Sequence, residues 1–152
     1  MKHPLLSNNA DELEIALAKA SMLNKTLIMT AANTAWMEPS GLIDLLLESF
    51  RIGEGTQELL DYLLIVALDE RAFNRCKEIH PHCYELRTEG VDFSGEKFFM
   101  TKDYVKITQR KIEFLKDVVE HGFSFVFTVS LPNLSRPCEL YRFSCLASDN
   151  LI

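Results

Sequence analysis

Residues 62–68 read Tyr62-Leu63-Leu64-Ile65-Val66-Ala67-Leu68, and Asp69-Glu70 follow directly. The run is far shorter than the roughly 18 apolar residues that a membrane helix needs. It also lacks the polar alternation of a strand with one wet face. It fits a central parallel strand covered on both faces. Asp69 closes the run and is placed to cap a helix from about Glu70 to Ile79.

The same logic extends upstream. Lys25 to Thr30 is a second short apolar run, read as a buried strand that ends in the small residues Ala31-Ala32-Asn33-Thr34. Between the two strands, Pro39 to Arg51 has helical spacing, with Pro39 in its first turn, Asp44 near its start and Leu42, Leu45, Leu46 and Phe50 on one face. Gly53 and Gly55 stop it, and a short helical turn from Thr56 to Leu60 leads into the central strand. Before the first strand, Asp11 to Met22 reads as a helix with Leu13, Leu17 and Ala20 inward. Ile15, Ala16 and Ala18 widen that stripe, and Asn9 or Asp11 is its cap.

Downstream, Cys83 to Leu86 is a short third strand. Arg87 to Thr101 is a loop containing Gly90 and Gly95, with Val91, Phe93, Phe98 and Phe99 as anchors. Lys102 to His121 is the longest helix, expected to turn Val105, Ile107, Ile112, Leu115, Val118 and Val119 inward and to stop at Gly122. Phe123 to Thr128 is a fourth, aromatic strand. From Val129 onward neither period continues, and only Glu139 to Leu146 has helical or strand potential.

Strands alternating with helices at this spacing imply right-handed crossovers and an α/β fold of about four mainly parallel strands flanked by helices. The organisation is an N-terminal tail (1–10), a partial domain (11–128) and a divergent tail (129–152). In such sheets a ligand binds beyond the carboxyl ends of the strands. Thr30 to Asn33, Asp69, Arg87 to Asp92 and the residues after Thr128 therefore surround one crevice.

Composition narrows the partners. The chain has 152 residues, enough for one domain, with 47% hydrophobic and 25% charged residues, as in soluble globular proteins. A net charge of −6 argues against nucleic acid or an anionic membrane as main partner. Only Lys106 with Gln109-Arg110-Lys111 makes a local basic face, too small for a nucleic-acid backbone and ample for one diphosphate. The N-terminus Met1-Lys2-His3-Pro4-Leu5-Leu6 lacks an apolar core of signal-peptide length, so the chain as written reads as cytoplasmic.

Four cysteines are present: Cys76, Cys83, Cys138 and Cys145. Cys76 and Cys83 flank Glu78-Ile79-His80-Pro81-His82, but their spacing fits no common zinc pattern. Buried or idle thiols are the expected reading, because a Cys76–Cys83 disulfide requires an oxidising compartment. His80 and His82 bracket Pro81 and are expected at the surface. Asn24-Lys25-Thr26 and Asn133-Leu134-Ser135 match the N-glycosylation pattern. Both are read as chance matches, since no secretory leader is seen and Asn24 abuts a buried strand.

No glycine-rich phosphate loop follows the first strand, and no nucleophile elbow is present. Several blocks together instead resemble the plant nucleotide-diphospho-sugar transferase family. They are Phe50-Arg51-Ile52-Gly53-Glu54-Gly55-Thr56, Ile65-Val66-Ala67-Leu68-Asp69-Glu70, His80-Pro81-His82-Cys83-Tyr84 and Glu89-Gly90-Val91-Asp92-Phe93-Ser94-Gly95-Glu96. Asp103-Tyr104 and Arg110-Lys111 continue the likeness, which covers roughly residues 12–128. The resemblance implies a three-layer, Rossmann-like GT-A half-domain, a UDP-sugar-like donor, a divalent cation such as manganese, and glycan acceptors in the cell wall or on glycoproteins. It also implies Golgi proteins of type II membrane topology. Such enzymes hold the cation on an Asp-x-Asp motif at the end of the fourth strand. Here Phe125-Val126-Phe127-Thr128 is followed by Val129-Ser130-Leu131. Val129 and Leu131 ligate no metal, so the chain is expected to be a truncated, inactive member without a catalytic or metal site, the abrupt loss of similarity pointing to an altered splice or reading frame.

On the donor side, Thr30 and Asn33 stand where such folds contact base and ribose. Asp69 is either a nucleotide partner or a helix cap. Asp92, Lys106 and Arg110 are candidates to reach the nucleotide phosphates. Trp36 reads as a core or rim anchor and not as a stacking platform. The runner-up function is a non-catalytic remnant that binds nucleotide or a partner. Strand 123–128, left without a neighbour, is expected to promote self-association unless Leu140 to Leu146 packs back over it.

Overall fold

The computed structural model describes residues 4–87 and 102–128, with side-chain detail from residue 12 in the first segment and residue 105 in the second. The loop anchors Val91, Phe93, Phe98 and Phe99, and everything from Val129 onward, lie outside these residues. The elements in order are α1 (Pro4–Ala20), β1 (Thr26–Ala32), α2 (Leu42–Ile52), a 3-10 turn (Gln57–Tyr62), β2 (Leu63–Ala67), α3 (Glu70–Ile79), β3 (Cys83–Glu85), α4 (Lys102–Glu120) and β4 (Ser124–Phe127). The first helix thus begins earlier than Asp11.

The four strands form one parallel sheet in the order β3-β2-β1-β4. Every residue of β2 is buried, as its unbroken apolar run requires. Alternation along the strands separates two cores. Leu27, Met29, Leu64, Val66 and Phe125 pack with Leu13 and Leu17 of α1 and with Phe114 and Val118 of α4. On the other face, Leu63, Ile65 and Ala67 pack with Ile43, Leu46 and Phe50 of α2 and with Ala72 and Cys76 of α3. The result is a three-layer, Rossmann-like α/β half-domain.

Two helices turn differently from expectation. In α4 the apolar residues form two stripes, both compatible with helical periodicity. Ile107, Phe114 and Val118 face the sheet, whereas Val105, Ile112 and Val119 are 39%, 59% and 50% exposed. Phe114 wins the inward position by stacking on Tyr84 at 5.5 Å between ring centroids. In α2 the start falls at Leu42, because Ser40 adopts φ +60° and Gly41 becomes the N-cap. A Cβ on Gly41 would approach the Glu38 carbonyl oxygen to 2.7 Å, so glycine allows that close turn. The face shifts accordingly to Ile43, Leu46, Leu47 and Phe50, leaving Leu45 exposed.

Two further expectations are corrected around residue 80. His80 is buried, not at the surface. Its Nε2 lies 2.6 Å from the Leu63 carbonyl oxygen at the start of β2, which gives that buried acceptor a donor. His82 is half-buried. Cys76 and Cys83 are not idle thiols: they form a disulfide across a Cα–Cα distance of 6.1 Å. The short link from α3 to β3 returns the chain beside the helix and brings the two residues together. Cys138 and Cys145 lie outside the described residues.

Burial holds the His80 imidazole below the ordinary histidine range, and His82 and Arg51 push the same way, against the Leu63 carbonyl and Asp61. The unfolded chain, with an ordinary value near 6.5, then binds a proton at higher pH than the folded one. Stability from neutral His80 is therefore complete above the unfolded value and declines as pH falls below it. Thermal unfolding of wild type and His80→Gln between about pH 7 and about pH 5 checks this. The wild-type midpoint should fall more steeply over that window than the variant's; parallel profiles would contradict it.

Candidate functional site

The strand order creates a switch point. From β1 the chain steps to β2 and β3 in one direction with α2 and α3 on one face, then returns through α4 to place β4 on the other side of β1. The carboxyl ends of β1 and β4 therefore open the crevice in which α/β sheets bind ligands. Three backbone bonds extend the ladders toward this rim: Leu68 N to Ala32 O (2.9 Å), Leu86 N to Ala67 O (2.8 Å) and Thr128 N to Met29 O (2.9 Å).

Each residue singled out from sequence has a definite place. Thr30 is buried within β1, opposite Ile65 in the ladder, and lies below the rim on the α2/α3 face by strand alternation. Asn33 stands at the rim, where its Oδ1 accepts from Trp36 N at 3.2 Å and its carbonyl accepts from the amides of Trp36 and Met37. Asp69 is the N-cap of α3 and accepts from Ala72 N at 2.9 Å. Its other oxygen accepts from Thr34 N at 2.8 Å, and the Thr34 hydroxyl donates to the carboxylate as well. Of the two readings of Asp69, the structure displays the cap, extended into a tie between the ends of β1 and β2. Lys106 is exposed on α4. Arg110 is half-buried, pairs with Glu113 at 3.6 Å, and lines a cleft of about 310 Å³ with Tyr84, Glu85 and Arg87. Asp92 lies outside the described residues.

The structure brings Asn33 and Asp69 together at the rim, whereas Arg110 faces the β3 side. The basic residues 106–111 consequently do not share one face. Lys111, adjacent to Arg110, turns the other way and places Nζ 5.3 Å from the centroid of the Trp36 ring. Burial lowers its pKa from the ordinary lysine value, while the aromatic face offers partial compensation for the charge. Trp36 is thus a rim anchor packed on the second core, in agreement with the sequence pattern. Its partnership with Lys111 has no sequence signal, since the two lie 75 positions apart and no local pattern links them.

Thr128 is a second position that the sequence does not single out. It is buried at the end of β4, and its Oγ1 has no hydrogen-bond partner among the described residues. Buried hydroxyls ordinarily find a partner, so one without a partner among the described residues stands out at the switch point. Metal chemistry has less to stand on. Among the described residues no three His, Cys, Asp or Glu side chains cluster to hold an ion, and the Asp69 carboxylate is already engaged by its donors. Val129 and Leu131, the positions that bear on a divalent cation, lie outside the described residues.

The cap reading of Asp69 has a measurable consequence. Asp69→Ala removes the acceptor of three donors and should cost about 1–3 kcal/mol in urea unfolding. An unchanged midpoint would show that the tie contributes nothing to stability.

Comparison with known proteins agrees with this architecture. The family model for nucleotide-diphospho-sugar transferases matches residues 58–129. Two uncharacterized proteins of Arabidopsis thaliana are similar. One is 45% identical over 130 residues, covering 85% of this chain and 35% of the relative. The other is 45% identical over 124 residues, covering 78% and 38% respectively. The chain therefore spans little more than a third of the length of these relatives. No solved structure matches it.

Proposed function

We propose that the part of a nucleotide-diphospho-sugar transferase domain carried by this chain binds the donor nucleotide at the β1/β4 crevice and does not by itself transfer sugar. The observation that carries the binding half is the buried Thr128 hydroxyl, unpartnered among the described residues, at the switch point of a sheet of which β2, β3 and β4 lie within the match to that family. Lys111 over Trp36 adds a cation beside the loop that follows β1, suited to an anionic ligand. Asn33 and Thr34 stand at the same rim, where their side chains hold the turn that shapes it. Thr30, Asp92, Lys106 and Arg110 remain candidates on the donor side.

The inactive half of the proposal rests on the run Thr128-Val129-Ser130-Leu131. The departing diphosphate of such a reaction needs a cation held by oxygen ligands, and two apolar residues occupy the positions where carboxylates are expected. The domain is taken to run over residues 11–128, with 129–152 as a divergent tail. Transfer to cell-wall or glycoprotein glycans, a Golgi setting and the GT-A assignment belong to the same proposal, as activities and context of a longer protein.

Calorimetric titration of the purified chain with UDP and a UDP-sugar, with and without manganese, tests both halves. Binding is expected, with similar affinity in either condition, and Lys111→Met should weaken it several-fold. No binding overturns the nucleotide reading; manganese-dependent hydrolysis or transfer overturns the inactivity.

Among the described residues the backbone of β4 pairs with β1 on one side only. Its phenylalanines are less available than a bare edge suggests, since Phe123 and Phe125 are buried and Phe127 packs against the same core. We propose that the unpaired backbone edge of β4, and not its aromatic rings, drives self-association of the isolated chain. Light scattering across a concentration series should show mass growth. A monodisperse wild-type monomer would end this proposal.

A further inference from the structure

Asn24 sits at the tip of a tight turn between α1 and β1. The turn is closed by Lys25 N donating to Met22 O at 2.9 Å and by Met22 N donating to Thr26 O at 2.8 Å. Lys25 takes the left-handed conformation, φ +59°. Leu23, Asn24 and Lys25 are all exposed. The Asn24 Oδ1 accepts from Thr26 N at 3.2 Å, an Asx turn that spans the acceptor triplet Asn24-Lys25-Thr26. With its oxygen engaged, the side-chain amide nitrogen is the remaining polar group of an exposed residue. Lys25 does not screen it, since its Nζ lies 5.5 Å from the Phe123 ring centroid.

Proximity to a buried strand, which on sequence grounds argues against this sequon, is therefore no obstacle. The buried part of β1 begins at Leu27, beyond the triplet. The compartment argument also reverses. The Cys76–Cys83 disulfide belongs to proteins that fold where thiols are oxidised. Position matters as well: the turn precedes β1 and lies at the amino edge of the parallel sheet, opposite the carboxyl rim. An oligosaccharide there leaves the β1/β4 crevice open.

From these observations we propose that Asn24 accepts an N-linked oligosaccharide when the chain folds in an oxidising secretory lumen. The donor class is a lipid-linked oligosaccharyl pyrophosphate. The Asn24 Nδ2 forms a bond to the anomeric carbon as the bond from that carbon to the pyrophosphate oxygen breaks. The lipid pyrophosphate leaves with the bonding electrons, and one Nδ2 proton passes to a base of the transferring enzyme. The inference is independent of the nucleotide reading.

The test expresses the full chain behind a cleavable secretion leader in eukaryotic cells and maps peptides from whole-cell protein, so that retained molecules are counted. Digestion with a peptide N-glycosidase converts a glycosylated asparagine to aspartate and identifies the site. The expected result is that most chains carrying the Cys76–Cys83 disulfide are modified at Asn24, that Thr26→Ala and Asn24→Gln abolish this, and that Asn133→Gln leaves it intact. Disulfide-bonded wild-type chains with an unmodified Asn24, or with modification at Asn133 alone, overturn the proposal. Because the mapping is read on wild type, a folding failure of either variant does not change which of these results is obtained.

Discussion

Strand β2 meets water nowhere, and the rest of the structure answers to that constraint. Leu63, Leu64, Ile65, Val66 and Ala67 are at most 1% exposed. Their side chains alternate between two cores, so a helix layer must cover each face. Their backbone polar groups have no solvent to bond, so a parallel neighbour is needed on each side. β1 supplies one ladder and the three-residue β3 the other. Where that short neighbour ends, other groups take over: Ile65 N donates to His82 O, Leu86 N donates to Ala67 O, and the His80 ring serves the Leu63 carbonyl. The buried histidine and the disulfide beside it are thus parts of how a very short edge strand is kept in place.

The same need to satisfy polar groups limits what the carboxyl rim can do. Asn33 and Asp69 are among the residues that the sequence suggests for a ligand, yet their side chains, with that of Thr34, are committed to the turn after β1 and to the start of α3. A carboxylate that accepts from two amides and a hydroxyl has little capacity left for a nucleotide unless the turn opens. Two groups near the rim lack such commitments among the described residues. They are the Thr128 hydroxyl, short of a hydrogen bond, and the Lys111 ammonium, set over an aromatic face. Among the described residues the rim therefore presents one polar group and one cation.

Element type is legible in the sequence because periodicity reports burial directly. The apolar run around Ile65, the span of α3 and the parallel topology all follow from local pattern and helix–strand alternation. Sequence reasoning fails where two arrangements share one pattern or where the deciding contact is distant. Val105-Ile112-Val119 and Ile107-Phe114-Val118 are both helical stripes, and only the Tyr84 ring across the sheet selects the second. His80 looks like a loop residue because the carbonyl it serves is 17 positions away. The case against the disulfide is one of compartment, and geometry does not share it. At the site, Asp69 is legible as a cap but its bonds to Thr34 span 35 positions, and Lys111 with Trp36 leaves no local signal at all.

The two ends of the parallel sheet make different demands on chemistry, and this asymmetry organises the functional readings. At the carboxyl end, loops must leave room between diverging strands, and one buried hydroxyl there, that of Thr128, is unsatisfied among the described residues. At the amino end, the chain enters each strand through tight turns whose backbone groups are already paired, as at Met22–Thr26 and at Gly122–Ser124. A bulky group attached to such a turn perturbs neither the ladder nor the crevice, because the anchoring side chain points to no core. Ligand capacity at one end and tolerance of modification at the other are thus both consequences of strand direction. Parallel pairing sets that direction, and the dry central strand makes the pairing obligatory.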